Sequence, residues 1–181
     1  MPNNEQFNVL MEGPKVWNEW RRLYPDASID LSGVKLRGET VQGANLSKAN
    51  LRGANIHKAN AVAANFSQTD LQDADLSETN GAKADFSGAD LSGAKLRESQ
   101  FSGANFSDAQ LSGADVSHAD LLGAEFTGAN LRGANLMNSQ LRQATGLTQE
   151  QIDQAIGNDR TGLPEGVQRP SNWTQSVDPS Q

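Results

Sequence analysis

From Ile29 to Ala144 one five-residue unit repeats without an insertion: a small residue, usually Ala, then Asn or Asp, Leu or Phe, Ser or Arg, and often Gly. Ala49-Asn50-Leu51-Arg52-Gly53 and Ala129-Asn130-Leu131-Arg132-Gly133 show it whole, and the large central residue recurs at every fifth position from Leu31 to Leu141, through 23 units. That period excludes a long α-helix. Five helical residues sweep about 500°, so apolar residues at this spacing drift around the cylinder and form no buried stripe. A flat strand is excluded as well, because an odd period turns successive large residues to opposite faces. Within a unit, however, the Ala and the large residue are two apart and share a face. A short strand followed by a corner in every unit keeps both pointing inward, and the chain must therefore coil.

The columns of central residues set the number of sides. Three sides would stack residues fifteen apart, placing Phe66, Gly81, Leu96, Leu111 and Phe126 together without pattern. Four sides stack residues twenty apart. One column is then Leu31, Leu51, Leu71, Leu91, Leu111 and Leu131, and another is Leu46, Phe66, Phe86, Phe106 and Phe126. A third is aliphatic (Leu36, Ile56, Leu76, Leu96, Val116, Leu136), and the fourth is mixed (Val41, Ala61, Gly81, Phe101, Leu121, Leu141). Like stacks on like, as suits a solenoid that buries each coil against its neighbours.

On these units the chain resembles the pentapeptide-repeat family, and the resemblance covers about two thirds of its length. It implies an all-β solenoid: a right-handed, four-sided parallel β-helix of about six coils, roughly 28 Å long at the usual strand spacing. Departures are local. Glu39 stands where Ala is usual, Ala61 and Gly81 where Leu or Phe is usual, and Thr69, Thr79, Ser99 and Ser139 replace the small Ala. Ala61 and Gly81 predict a local thinning of the core, as either a void or a collapsed wall, with Thr79 filling part of it or holding a water. Eleven of the 23 corners end in Gly, which tolerates the positive φ of a type II turn. After the all-Leu column they are nearly all Gly, whereas the next column gives Gly38, Lys58, Glu78, Glu98, His118 and Asn138. One edge of the rod is thus expected to favour positive φ and the adjacent edge mostly not.

The chain divides into an N-terminal tail and capping helix (1–28), the repeat (29–144), a C-terminal helical cap and loop (145–174) and a frayed tail (175–181). Residues 1–12 give no firm signal. From Pro14, which suits a first helical position, Val16, Trp17, Trp20, Leu23 and Tyr24 recur at helical spacings until Pro25, and the two tryptophans read as core. This helix is expected to cover the open end of the first coil. At the other end Thr148 and Gln151 can form a capping box, Leu147 can staple onto Ile152, Gly157 is expected to stop the helix, and Trp173 to tuck against the last coil.

Little chemistry is legible. There is no cysteine, which excludes disulfides and thiolate sites. His57 and His118 fall about three coils apart, roughly 14 Å, too far for one metal ion. Ser47, Ser67, Ser87, Ser107 and Thr127 form an outward column without a neighbouring base. No cofactor, metal site or catalytic residue is expected, and the chain does not read as an enzyme. The net charge is −7, but the repeat holds 13 acids against 10 bases, and no basic nucleic-acid footprint is present. Residues 1–22 have no apolar run fit for export or membrane insertion, so a cytoplasmic protein is expected. The reading is a rigid, non-catalytic protein-interaction module, monomeric and with an unknown protein partner. Val62, Ala82 and Leu122 stand in the outward position where Ser or Arg is common and form a candidate contact strip. The alternative comes from the resemblance: some family members act on DNA gyrase as acidic mimics of duplex DNA. Arg37, Arg52, Arg97, Arg132 and Arg142 interrupt the acids here and weigh against that role.

Overall fold

The computed structural model describes residues 3–173; the tail expected to fray at 175–181 lies outside them. Parallel bridges join residues twenty apart, from Asp30 with Asn50 through to Glu125 with Thr145. Units of five and coils of twenty make four sides. We number them by their inward columns: the first carries Leu31, the second Leu36, the third Val41 and the fourth Leu46. The strand on each side is a single bridged residue, yet its backbone is fully used. The Leu31 amide donates to the Asn50 carbonyl (2.8 Å), and the Asn50 amide donates back to the Ile29 carbonyl (2.9 Å). All of the Leu31 and Phe66 columns are buried, as are the alanines two residues before them. The Asn or Asp between these inward residues accepts the amide two positions on, as Asn65 Oδ1 does from Ser67 (2.9 Å), which is why that position prefers a short side-chain acceptor.

Every corner has positive φ at its last residue. Gly takes 62° to 72° there, but Lys58 (60°), Glu78 (57°), Glu98 (57°), His118 (60°) and Asn138 (60°) adopt the same conformation. This corrects the expectation that the edge after the second side would lack such turns. A coil closing in twenty residues needs the same bend four times. The bend is held by a turn bond, such as Ala59 N to Ile56 O (3.0 Å), and by a ladder bond from the corner residue, such as Lys58 N to Ser77 O (3.0 Å). These bonds hold side chains in a conformation that costs about 1–2 kcal/mol.

The fourth side carries a file of phenylalanines. Phe66, Phe86 and Phe106 stack with centroids 4.9 and 5.0 Å apart and planes within 2°, and Phe126 continues at 5.3 Å. Beside them the thinning expected at Gly81 is neither a void nor a collapsed wall. The Phe101 ring, one coil along, leans into the space: a Cβ built on Gly81 would lie 2.4 Å from Phe101 Cε1. Phe101 meets Phe86 and Phe106 edge-on at 5.4 and 5.7 Å, a favoured aromatic geometry. Thr79 needs no water, since its hydroxyl donates to the Ile56 carbonyl (2.8 Å).

Two helices lie against the first coil, α1 (Asn4–Met11) and α2 (Pro14–Leu23). Helix α1 forms where no firm signal was read; Asn3 caps it, accepting from Glu5 (3.0 Å) and Gln6 (3.2 Å). Side chains of both helices stand in for a preceding coil. Gln6 Oε1 accepts from the Asp30 amide (2.9 Å), Asn18 Oδ1 accepts from the Asn45 amide (2.7 Å), and Trp17 Nε1 donates to the Asn45 carbonyl (2.7 Å). At the other end the five-residue α3 (Gln149–Asp153) opens with the expected capping box of Thr148 and Gln151. The chain then rejoins the ladder, with Ile156 bridging Asn135 and Gly162 bridging Gln140. Gly157 does not stop the helix, which ends at Asp153. It is glycine because Trp173 lies on it, with Cε3 and Cζ3 at 2.4 Å from where a Cβ would be.

Two stability outcomes follow. Phe86→Ala is expected to cost about 3–5 kcal/mol, because it opens the stack beneath two faces and one edge, whereas Ser87→Ala costs under about 0.5 kcal/mol; chemical denaturation checks both. Gly81→Ala is expected to destabilise by about 1–3 kcal/mol through overlap with Phe101, and Phe101→Leu in the same chain should recover part of that loss in a double-mutant cycle.

Candidate interaction surface

The solenoid converts position within twenty residues into side, so each side's chemistry can be read separately. The first side presents Asp30, Asp70, Asp73 and Asp90 with Arg52 and Arg132, and the fourth presents Asp85, Asp108 and Glu125 with Lys48. The second mixes both signs, including the pairs Lys58 Nζ to Glu78 (3.1 Å) and Arg97 Nε to Asp115 (3.4 Å). The third is balanced in charge. Its outward residues are mainly amides, Gly, Ala and Ser, with Lys83 and Arg142 against Asp120 and the exposed Glu39; the Asp120 carboxylate is occupied by the Ser102 hydroxyl (2.7 Å).

Val62, Ala82 and Leu122 all lie on this third side, in one column joined by the twenty-residue ladder. Leu122 is the most open of them, 42% exposed, while Val62 and Ala82 are half-buried. Ser102 falls between Ala82 and Leu122, so the strip is continuous in position but interrupted in apolarity. The core columns named from sequence point away from every outer surface. The histidines stay apart. His57 Nε2 lies 3.6 Å from Glu78 Oε1, and His118 Nε2 lies 3.3 Å from Asn138 Nδ2. Among the described residues no group of three or more His, Asp or Glu could hold a metal ion. No helix there is long and apolar enough to cross a membrane.

A second apolar surface was missed. Trp17 is buried, but α2 turns Val16 (42% exposed), Leu23 (56%) and Tyr24 (55%) outward, and Trp20 is only half-buried, stacked on Trp17 at 5.4 Å. The two tryptophans read as core from sequence; Trp17 is, and Trp20 is only partly so. The first coil accepts one edge of α2, filled by Trp17, and no further layer among the described residues covers Val16, Leu23 and Tyr24.

The outward carboxylates serve the coil. For Asp75 and Asp90 burial is the largest influence and pushes the pKa up, yet hydrogen bonds from Ser77 and Ser92 outweigh it together with nearby positive charge. Both settle below the ordinary value. The Thr127 and Thr145 hydroxyls hold Glu125 low in the same way. A carboxyl with a depressed native pKa adds stability that is full above its unfolded pKa and lost as pH falls through the native one. The melting temperature is therefore expected to be level near neutrality and to fall below about pH 4. Asp75→Asn with Asp90→Asn should flatten that fall, since Asn supplies the same acceptor at the equivalent Asn55 and Asn50; melting curves between about pH 3 and 7 measure it.

The family model for pentapeptide repeats matches eight copies, over residues 29–68, 62–97 and 104–143. The chain belongs to the pentapeptide-repeat family. Its fold is accordingly a right-handed β-helix solenoid. Among solved structures it is similar to a pentapeptide repeat protein of the Arabidopsis thaliana thylakoid lumen, with 30% identity over 71% of this chain and 77% of that one and a TM-score of 0.34. It is also similar to HetL from Nostoc sp. strain PCC 7120, a protein involved in heterocyst differentiation regulation, with 28% identity over 70% and 68% and a TM-score of 0.34. Rfr23 from Cyanothece 51142 is 25% identical over 81% and 97%, with a TM-score of 0.38. No curated protein matches the chain.

Proposed function

We propose that this chain is a rigid, non-catalytic protein-interaction module whose working face is the third side of the coil. The observation that carries the reading is the composition of that side: apolar and amide groups held in line by a continuous ladder, with Leu122 half in solvent. A partner that lays a flat surface along it between Val62 and Leu122 meets only Lys83 and Asp120 among charged residues, and the ladder leaves little backbone freedom to lose on binding. The N-terminal helices occupy the edge of the first coil, and Ile156 and Gly162 extend the ladder at the other end, which fits a monomer. A cytoplasmic location is part of the same reading.

The alternative, mimicry of duplex DNA toward a type II topoisomerase, is disfavoured by charge. Duplex DNA presents one negative charge per roughly 1.7 Å of axis, or about 16 over a rod of this length. The adjacent first and fourth sides together offer seven carboxylates, offset by Arg52, Arg132 and Lys48.

Replacing Val62, Ala82 and Leu122 together by Ser should leave the melting temperature within about 2 °C of the parent. Capture of the partner from a native lysate should meanwhile fall several-fold. Undiminished capture by the triple variant would remove the strip from the reading, and a partner that binds only through α2 would move the working face to the N-terminal end.

A further inference from the structure

The last coil opens a groove at the end of the third side. Leu141 donates to the Gly162 carbonyl (2.7 Å), and one residue past Leu163 the chain turns away through Pro164, Glu165 and Gly166 (φ 84°). The ladder stops there. In earlier coils the corner amides of Gly103 and Gly123 donate to the Leu122 and Arg142 carbonyls, at 2.9 and 3.0 Å. The equivalent Gln143 amide meets no backbone acceptor among the described residues. Two adjoining depressions share Arg142, Leu163 and Pro164; one extends to Arg160, Arg169 and Val167, the other past Gln143 to Glu165.

We propose that this groove binds an extended acidic segment of a partner protein, with carboxylates on Arg142, Arg160 and Arg169, an apolar side chain on Leu163, Pro164 and Val167, and a backbone carbonyl on the Gln143 amide. The inference rests on the interaction-module reading and names the chemistry of the partner. Three arginines, Arg142, Arg160 and Arg169, line the first depression with a single acid, Asp159, in a chain whose net charge is −7. Guanidinium forks match carboxylates in pairs of hydrogen bonds. Arg169 is already held, its Nη2 donating to the Thr161 carbonyl (3.1 Å), so less side-chain freedom is lost when it engages a ligand.

Shape and polarity select the occupant. A compact anion would fill one depression, whereas the shared wall of Arg142, Leu163 and Pro164 joins two into a run suited to an extended chain. The apolar floor suits a peptide side chain better than a phosphate backbone. An unused amide at the end of a parallel ladder is the donor that strand addition employs. Glu165 lines the second depression and sets direction: the acidic part of the segment lies toward Arg160 and Arg169, and a neutral part toward Gln143. Leu122 stands one coil above Arg142 in the same column, about 4.8 Å away along the rod, so the groove continues the third side.

The test is fluorescence anisotropy on the full chain with a labelled peptide, acetyl-Glu-Glu-Leu-Glu-Leu-amide. Its lysine counterpart and a labelled oligothymidylate are titrated alongside, and inorganic phosphate is added as competitor. Saturable binding of the acidic peptide alone is expected, weakened roughly tenfold by Arg142→Glu and by Arg160→Glu without a change in melting temperature. Arg169 is left intact because it also bonds Thr161. Equal binding by both variants, or equal binding of the oligothymidylate, would overturn the assignment. Displacement by millimolar phosphate would reduce the groove to an ion site and overturn the peptide as well. If the peptide fails while the Val62, Ala82 and Leu122 variant still loses its lysate partner, the groove falls and the interaction module stands. If the peptide binds while that variant loses nothing, the groove stands without the strip.

Discussion

Everything in this molecule depends on the twenty-residue register between coils. It is kept by backbone hydrogen bonds whose donors and acceptors belong to strands one residue long, so no side contributes a strand that could exist alone. The consequence is visible at the corners. A local preference for glycine would make some corners left-handed and others not, but the register imposes one bend on all of them, and Lys58, Glu78 and His118 follow. Tertiary geometry overrides residue preference because four unlike corners would not close a coil on the ladder.

The same register explains what could be read from the sequence and what could not. The inward columns were legible because stacking places residues twenty apart in direct contact, and like side chains pack well on like. The Gly81 site was not, because its occupant is not its own column's spacing repeated but a tilt. Ala61 and Gly81 leave room that the large Phe101 ring fills by leaning back across one coil. The order small, small, large down that column was a signal, but its sense depends on a rotamer that columns do not encode. Likewise Gly157 looked like a helix stop, although its lack of a side chain answers Trp173, sixteen residues on. Short-range grammar misattributes a glycine whose reason is long-range.

The ends show how a repeat is terminated without a repeat. The first coil has backbone groups that a preceding coil would satisfy, and leaving them unpaired would cost about 1–3 kcal/mol each where buried. Gln6 and Asn18 supply the missing acceptors through side-chain amides and Trp17 the missing donor through its indole N–H, all from helices. Helix α1 carried a readable cap in Asn3, with Gln6 three residues later. Gln6 does not close a capping box there; it reaches Ser28 and Asp30 instead. A residue that could have marked the helix serves the coil.

Net charge misleads for such an architecture. A sum over the chain treats acids and bases as mixed, yet the solenoid sorts them by position within each coil, so an overall negative protein holds two acidic sides, a mixed one and a third side on which two acids and two bases cancel. That sorting makes the third side and its arginine-lined end the place where an acidic partner meets least repulsion. Face-level charge governs encounter because screening limits the reach of the remaining carboxylates to about 8 Å at physiological ionic strength. The first side, where Asp70, Asp73 and Asp90 cluster, is on the opposite wall of the coil. A ligand approaching along the third side is therefore steered by Arg142, Arg160 and Arg169 and not by the chain's total.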